Sequence, residues 1–130
     1  MAQFGTLEYF QKLAEACNAN EALKKSNMNI NMIYNVTDMV LPNGNPSRFF
    51  LKFDKGQVVE VREATPTDEG DFVYTAKKEI FKRIFTGTLK AEDAMKTGWL
   101  KLDYKLGKVF RYKGAMDTFS KIIPTVQAEY

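Results

Sequence analysis

The sequence predicts an α+β domain, a mostly antiparallel sheet of five strands with helices packed on one face. Three observations predict it. The 130 residues are 45% hydrophobic and 27% charged, the balance of a single globular domain over residues 1–130. The spacing of apolar residues changes from three-and-four to two near Met28, and back again near Lys77. Short turn signals separate the alternating runs, densest at Pro42-Asn43-Gly44-Asn45-Pro46, and short turns join antiparallel neighbours.

Taken in order, Thr6 to Lys24 reads as one amphipathic helix, with Leu7, Phe10, Leu13, Ala14, Cys17 and Leu23 on its apolar stripe and Thr6 as its N-cap. On that stripe Cys17 reads as a small buried hydrophobe. From Met28 to Thr37 the alternation of Met28, Ile30, Met32, Tyr34 and Val36 with polar residues predicts a half-buried strand, broken only at Ile33. Arg48 to Asp54 and Val58 to Ala64 form the next two strands around a Lys55-Gly56-Gln57 turn. After the polar loop Thr65 to Gly70, Asp71 to Ala76 supplies a fourth strand with Phe72 and Tyr74 on one side.

A helix follows from Lys77, carrying Ile80, Phe81, Ile84 and Phe85 and stopping at Gly87; a shorter one uses Ala91, Ala94 and Met95 and ends at Gly98. Trp99 to Tyr104 alternates as a fifth strand. Beyond it Leu106, Val109, Tyr112, Met116, Phe119 and Ile123 form one helical stripe. Gly107 and Gly114 each cost up to about 1 kcal/mol in a helix interior, so a kink, two shorter helices or a loop is expected between Tyr104 and Lys113.

Composition removes whole classes of chemistry. There is no histidine and a single cysteine, so Ser-His-Asp triads, Cys-His pairs, Cys/His zinc sites and internal disulfides are all excluded. No glycine cluster has a phosphate-binding spacing, and no cofactor or metal site is expected. The acids of Asp68-Glu69-Gly70-Asp71 suit a turn, and Glu92-Asp93 suit the start of a helix. Without a signal peptide or long apolar run, a cytoplasmic location is expected.

Charge is unevenly spread. Residues 1–76 carry 7 basic and 10 acidic side chains, whereas residues 77–113 carry 11 basic and 4 acidic ones. Lysines scattered among large apolar residues describe the solvated faces of amphipathic elements, and the same basic half would attract an anionic membrane surface. Nucleic acid is not an expected partner, because the aromatics fall at buried spacings.

The segment Ile84 to Leu102 resembles the most characteristic stretch of the sterol carrier protein family, through Gly87, Leu89, Ala94, Gly98, Leu100, Lys101 and Leu102. The order of elements over the whole chain agrees with it. The resemblance implies a five-stranded sheet covered by helices, with an apolar tunnel between them for fatty acid, fatty acyl-CoA, phospholipid or a sterol-like ligand, and no catalytic set. The compact single domain resembles bacterial and archaeal members. Periodicity offers Ile84, Phe85, Leu89, Met95, Leu100, Leu102, Phe110, Met116 and Phe119 as cavity-lining residues. Non-enzymatic lipid binding or transfer, as a monomer or homodimer, is the expected function; the alternative is an interaction or dimerisation module accessory to a lipid-handling enzyme.

Overall fold

The computed structural model describes all residues, Met1–Tyr130. A two-residue strand β1 (Ala2–Gln3) leads to helix α1 (Leu7–Asn18). Thr6 caps α1 as predicted: it is in extended backbone and its hydroxyl accepts the Tyr9 N–H. The helix does not continue to Lys24. Asn20 accepts the Leu23 N–H at 2.9 Å and so caps a separate helix, α2 (Glu21–Lys25).

Strands β2 (Ile30–Val40), β3 (Pro46–Asp54) and β4 (Gln57–Glu63) form an antiparallel meander. The β3–β4 hairpin turns through Lys55 and Gly56, both at positive φ, the backbone that two-residue turns require. The next strand, β5 (Phe72–Ala76), departs from the rule that successive strands pair. Residues 64–71 cross the sheet, and β5 lies parallel to β2, with Met32 opposite Phe72 and Val36 opposite Ala76. Helices α3 (Lys78–Phe85) and α4 (Ala91–Lys96) follow, then β6 (Leu100–Tyr104), antiparallel to β5. The sheet order is β4-β3-β2-β5-β6, so the sheet is mixed but mostly antiparallel.

The crossover explains why Ile33 interrupts the alternation of β2. Ile33 and Phe50 point away from the helices yet are 0% and 6% exposed, because the crossover covers Ile33 and Arg62 covers Phe50. A Cβ on Gly70 would lie only 3.3 Å from Ile33 Cγ1. Arg62 stacks over the Phe50 ring and makes a two-pronged hydrogen bond to Asp68, at 2.7 and 2.9 Å. These bonds hold the Asp68 carboxyl well below the usual carboxylate range. Asp68 thus fixes the loop, and Asp71 ties its end to β2 by accepting the Asn31 N–H at 2.9 Å.

The last stripe divides into α5 (Leu106–Arg111) and α6 (Lys113–Ile122), with a 3-10 turn at Ile123–Thr125. The break falls at Tyr112, at neither glycine. Strand β7 (Ala128–Glu129) pairs in parallel with β1. Helices α1 and α3 pack on the sheet over β2, β3 and β4, and α6 packs on α1 and α2. Between them Phe4, Tyr9, Phe10, Tyr34, Phe49, Phe81 and Phe85 form an aromatic centre with neighbouring centroids 4.9–6.3 Å apart. Cys17 is buried among these groups, and desolvation pushes its thiol up to about 12. No helix is long and apolar enough to cross a membrane.

Candidate functional site

Helices α1 and α3 cover β2, β3 and β4, whereas the helices over β5 and β6 leave a hollow against the sheet. On the helix-facing side, register sets Phe72 opposite Tyr104 and Tyr74 opposite Leu102. These four side chains make an apolar floor, since residues two apart on a strand share a face. Met95 of α4 stands on one side, and Leu106 and Val109 of α5 with Lys113 and Met116 of α6 stand on the other. The result is a cleft of about 340 Å³ in which eight of the nine lining residues are hydrophobic. It is open to solvent along Tyr104 and Leu106, which are half exposed, so the apolar space is a groove and not the enclosed tunnel expected.

Larger hollows exist, but their chemistry differs. One of about 540 Å³ beside Trp99 and one of about 500 Å³ between Pro46 and Pro66 are lined mainly by polar residues, and one of about 440 Å³ beside Ala16 and Val126 is lined half by polar residues. An apolar wall with few polar groups is the usual form of a small-molecule site. In the cleft the polar groups are the Tyr74 and Tyr104 hydroxyls and the Lys113 ammonium. Burial holds the Tyr74 phenol well above its ordinary value, so it stays neutral. Lys113 makes no ion pair within the chain. The cleft wall carries no carboxylate and no thiol. It offers contact area and one positive charge.

Of the residues expected to line a cavity, the structure brings together Met95, Leu102 and Met116. Phe85, Leu100 and Phe119 lie in the closed core instead, with Phe119 edge-on to Phe53 at 5.7 Å. Ile84 and Leu89 are half-buried against that core. Phe110 points outward and is 75% exposed. Sequence reasoning misses Phe72, Tyr74, Tyr104, Leu106, Val109 and Lys113 as wall residues. Their signal is present in part: Phe72 and Tyr74 alternate onto one strand face, and Val109 falls on the same stripe as Met116.

No family model matches the sequence, and no curated protein matches it in sequence. Solved structures do match in shape. A conserved hypothetical protein from Thermus thermophilus superposes with a TM-score of 0.72 at 18% identity, covering 99% of this chain and 93% of that one. A crystal structure of sterol carrier protein 2 gives 0.71 at 21% identity, over 96% of this chain and 100% of that one. A sterol carrier protein domain of Helicoverpa armigera gives 0.64 at 15% identity, over 98% and 94%. The match runs nearly end to end in both directions, and the chain has the sterol carrier protein fold.

Proposed function

We propose that the protein is a lipid-binding, non-enzymatic carrier whose ligand lies in the cleft over β5 and β6. The observation that carries this reading is that eight of the nine residues of the cleft wall are hydrophobic, in a domain whose larger hollows are lined half or more by polar residues. A hydrocarbon chain needs no directional partners. Each buried methylene contributes roughly 0.8 kcal/mol, so a chain of moderate length offsets the cost of ordering it. Solved proteins of the same fold that are named sterol carrier proteins support the reading. Within it, fatty acid, fatty acyl-CoA or a phospholipid chain is the ligand class, and the carrier works in the cytoplasm.

The test is native mass spectrometry of the purified protein, followed by solvent extraction and binding of a fluorescent fatty acid. A defined lipid mass released on denaturation, and probe binding weakened by Leu102→Glu or Met116→Glu in variants that keep their circular dichroism, is the expected result. A clean apo mass together with no probe binding overturns the proposal. Charged substitution of Phe85 or Phe119 would test folding instead, because both are enclosed in the core.

A further inference from the structure

We propose that α5 is a membrane-docking element that seats the mouth of the cleft on an anionic bilayer; the proposal builds on the cleft being a lipid site. Helix α5 has no buried residue. Leu106 is 58% exposed and Phe110 75% exposed, and at a spacing of four they share one side of the helix. Single exposed apolar residues need no explanation, but here two stand together beside half-exposed Tyr104.

The charge around them has one sign. Residues 105–113 contain Lys105, Lys108, Arg111 and Lys113 and no acid. Lys105 is held by Asp71 at 3.2 Å and Lys108 donates to the Asn29 carbonyl oxygen, whereas Arg111 and Lys113 are unpaired. Apolar tips among basic residues are what an interfacial helix presents to anionic headgroups. The area of two tips is far too small for a stable protein interface, while a bilayer needs only their insertion. Helix α1, the longer amphipathic helix, is not available for this role. Its Tyr9, Phe10, Leu13 and Cys17 are committed to the core.

Position gives the docking a purpose. Leu106 and Val109 of the same helix line the cleft, so a bilayer that takes up Phe110 lies against the opening. A chain could then pass between membrane and cleft with little exposure to water.

The experiment places tryptophan at the tip, Phe110→Trp in a Trp99→Phe background, and adds vesicles of phosphatidylcholine alone or mixed with phosphatidylglycerol. A blue shift with the mixed vesicles, reversed by salt, is expected. Emission that does not move overturns the proposal. In parallel, Phe110→Ser/Arg111→Glu, which alters no cleft residue, should sediment with mixed vesicles at least about tenfold less than wild type while binding a fluorescent fatty acid normally. Wild-type sedimentation of that variant also overturns it, as does a Phe110-dependent dimer that vesicles do not dissociate. Wild-type protein that docks on the mixed vesicles but binds no fluorescent fatty acid would instead count against the cleft.

Discussion

Tyr34 of β2 and Tyr74 of β5 stack with their ring centroids 4.6 Å apart and their planes 7° from parallel, across the single parallel junction of the sheet. The pair marks where the closed core ends and the cleft begins. Tyr34 is 2% exposed and belongs to the aromatic centre, whereas Tyr74 is part of the cleft floor. Burial raises both phenols above their ordinary value, so both rings stay neutral.

The stack predicts a split between two substitutions at Tyr74. Stacked aromatic pairs contribute about 0.5–1.5 kcal/mol beyond area burial. Tyr74→Phe keeps the ring and should hold stability near wild type. Tyr74→Leu should lose on the order of 1 kcal/mol and deepen the cleft floor, so that bulkier ligands bind relatively better than slender ones. Denaturant unfolding and probe competition check this; equal losses for the two variants would show that the ring contact contributes nothing.

How much of this was legible in the sequence differs by residue. Thr6 announced its cap and Lys55-Gly56 its turn, because both depend on neighbours within three residues. Alternation along β2 and β5 gave the faces, since period two is a local property. It could not give the partner of β5. That depends on whether residues 64–71 turn back or cross, which the Arg62–Asp68 clamp and the Ile33–Phe50 patch decide together. The cleft was half legible for a similar reason. The stripe placed Val109 and Met116 on one side, but which aromatic is covered depends on what packs there, and nothing packs on Phe110.

Tyr9 holds the one buried side-chain polar atom without a hydrogen-bond partner, its hydroxyl, in a ring that is 0% exposed. An unmet buried hydroxyl costs about 1–3 kcal/mol. Tyr9→Phe should therefore raise stability by about 1 kcal/mol at neutral pH. The alkaline limb gives a second reading. Burial raises Tyr9, Tyr34, Tyr74 and Cys17 above their ordinary values, so each is protonated when folded and ionises once unfolded. Stability is undiminished below the ordinary thiol and phenol values, near about 8.5 and about 10, and falls as pH rises past them. Tyr9→Phe should remove one proton from that slope; an unchanged slope above about pH 10 would contradict the burial of Tyr9 as a neutral group.

Acid should expose the other end of the scale. Asp68 is held low, first by its hydrogen bonds to Arg62 and then by the Thr65 N–H. A lowered carboxylate contributes stability above the ordinary Asp value near about 4 and loses it as pH falls below that toward the folded value. Asp68→Asn should cost about 1–2 kcal/mol at neutral pH, the range for hydrogen bonds to a charged partner at a partly exposed site. The gap to wild type should close as pH drops below about 4. A gap that persists at the acid end would place the role of Asp68 in loop shape and not in charge.

Lys113 gives the sharpest question about the ligand. It is the sole charged residue of the cleft wall and is unpaired, and it sits at the start of α6, where the chain bends away from α5. A chain lying along Phe72 and Tyr74 with its head outward would bring that head to the ammonium. In the partly wet mouth such a pairing contributes about 1 kcal/mol or less and is screened by salt. Lys113→Gln should therefore weaken a long-chain fatty acid a few-fold at low salt while leaving the matching fatty alcohol unchanged, and added salt should erase the difference. Isothermal titration of the two ligands against both proteins decides it. If acid and alcohol weaken equally, Lys113 acts through its aliphatic stem and the head lies elsewhere; if neither weakens, the chain enters with its head toward the Tyr34–Tyr74 stack.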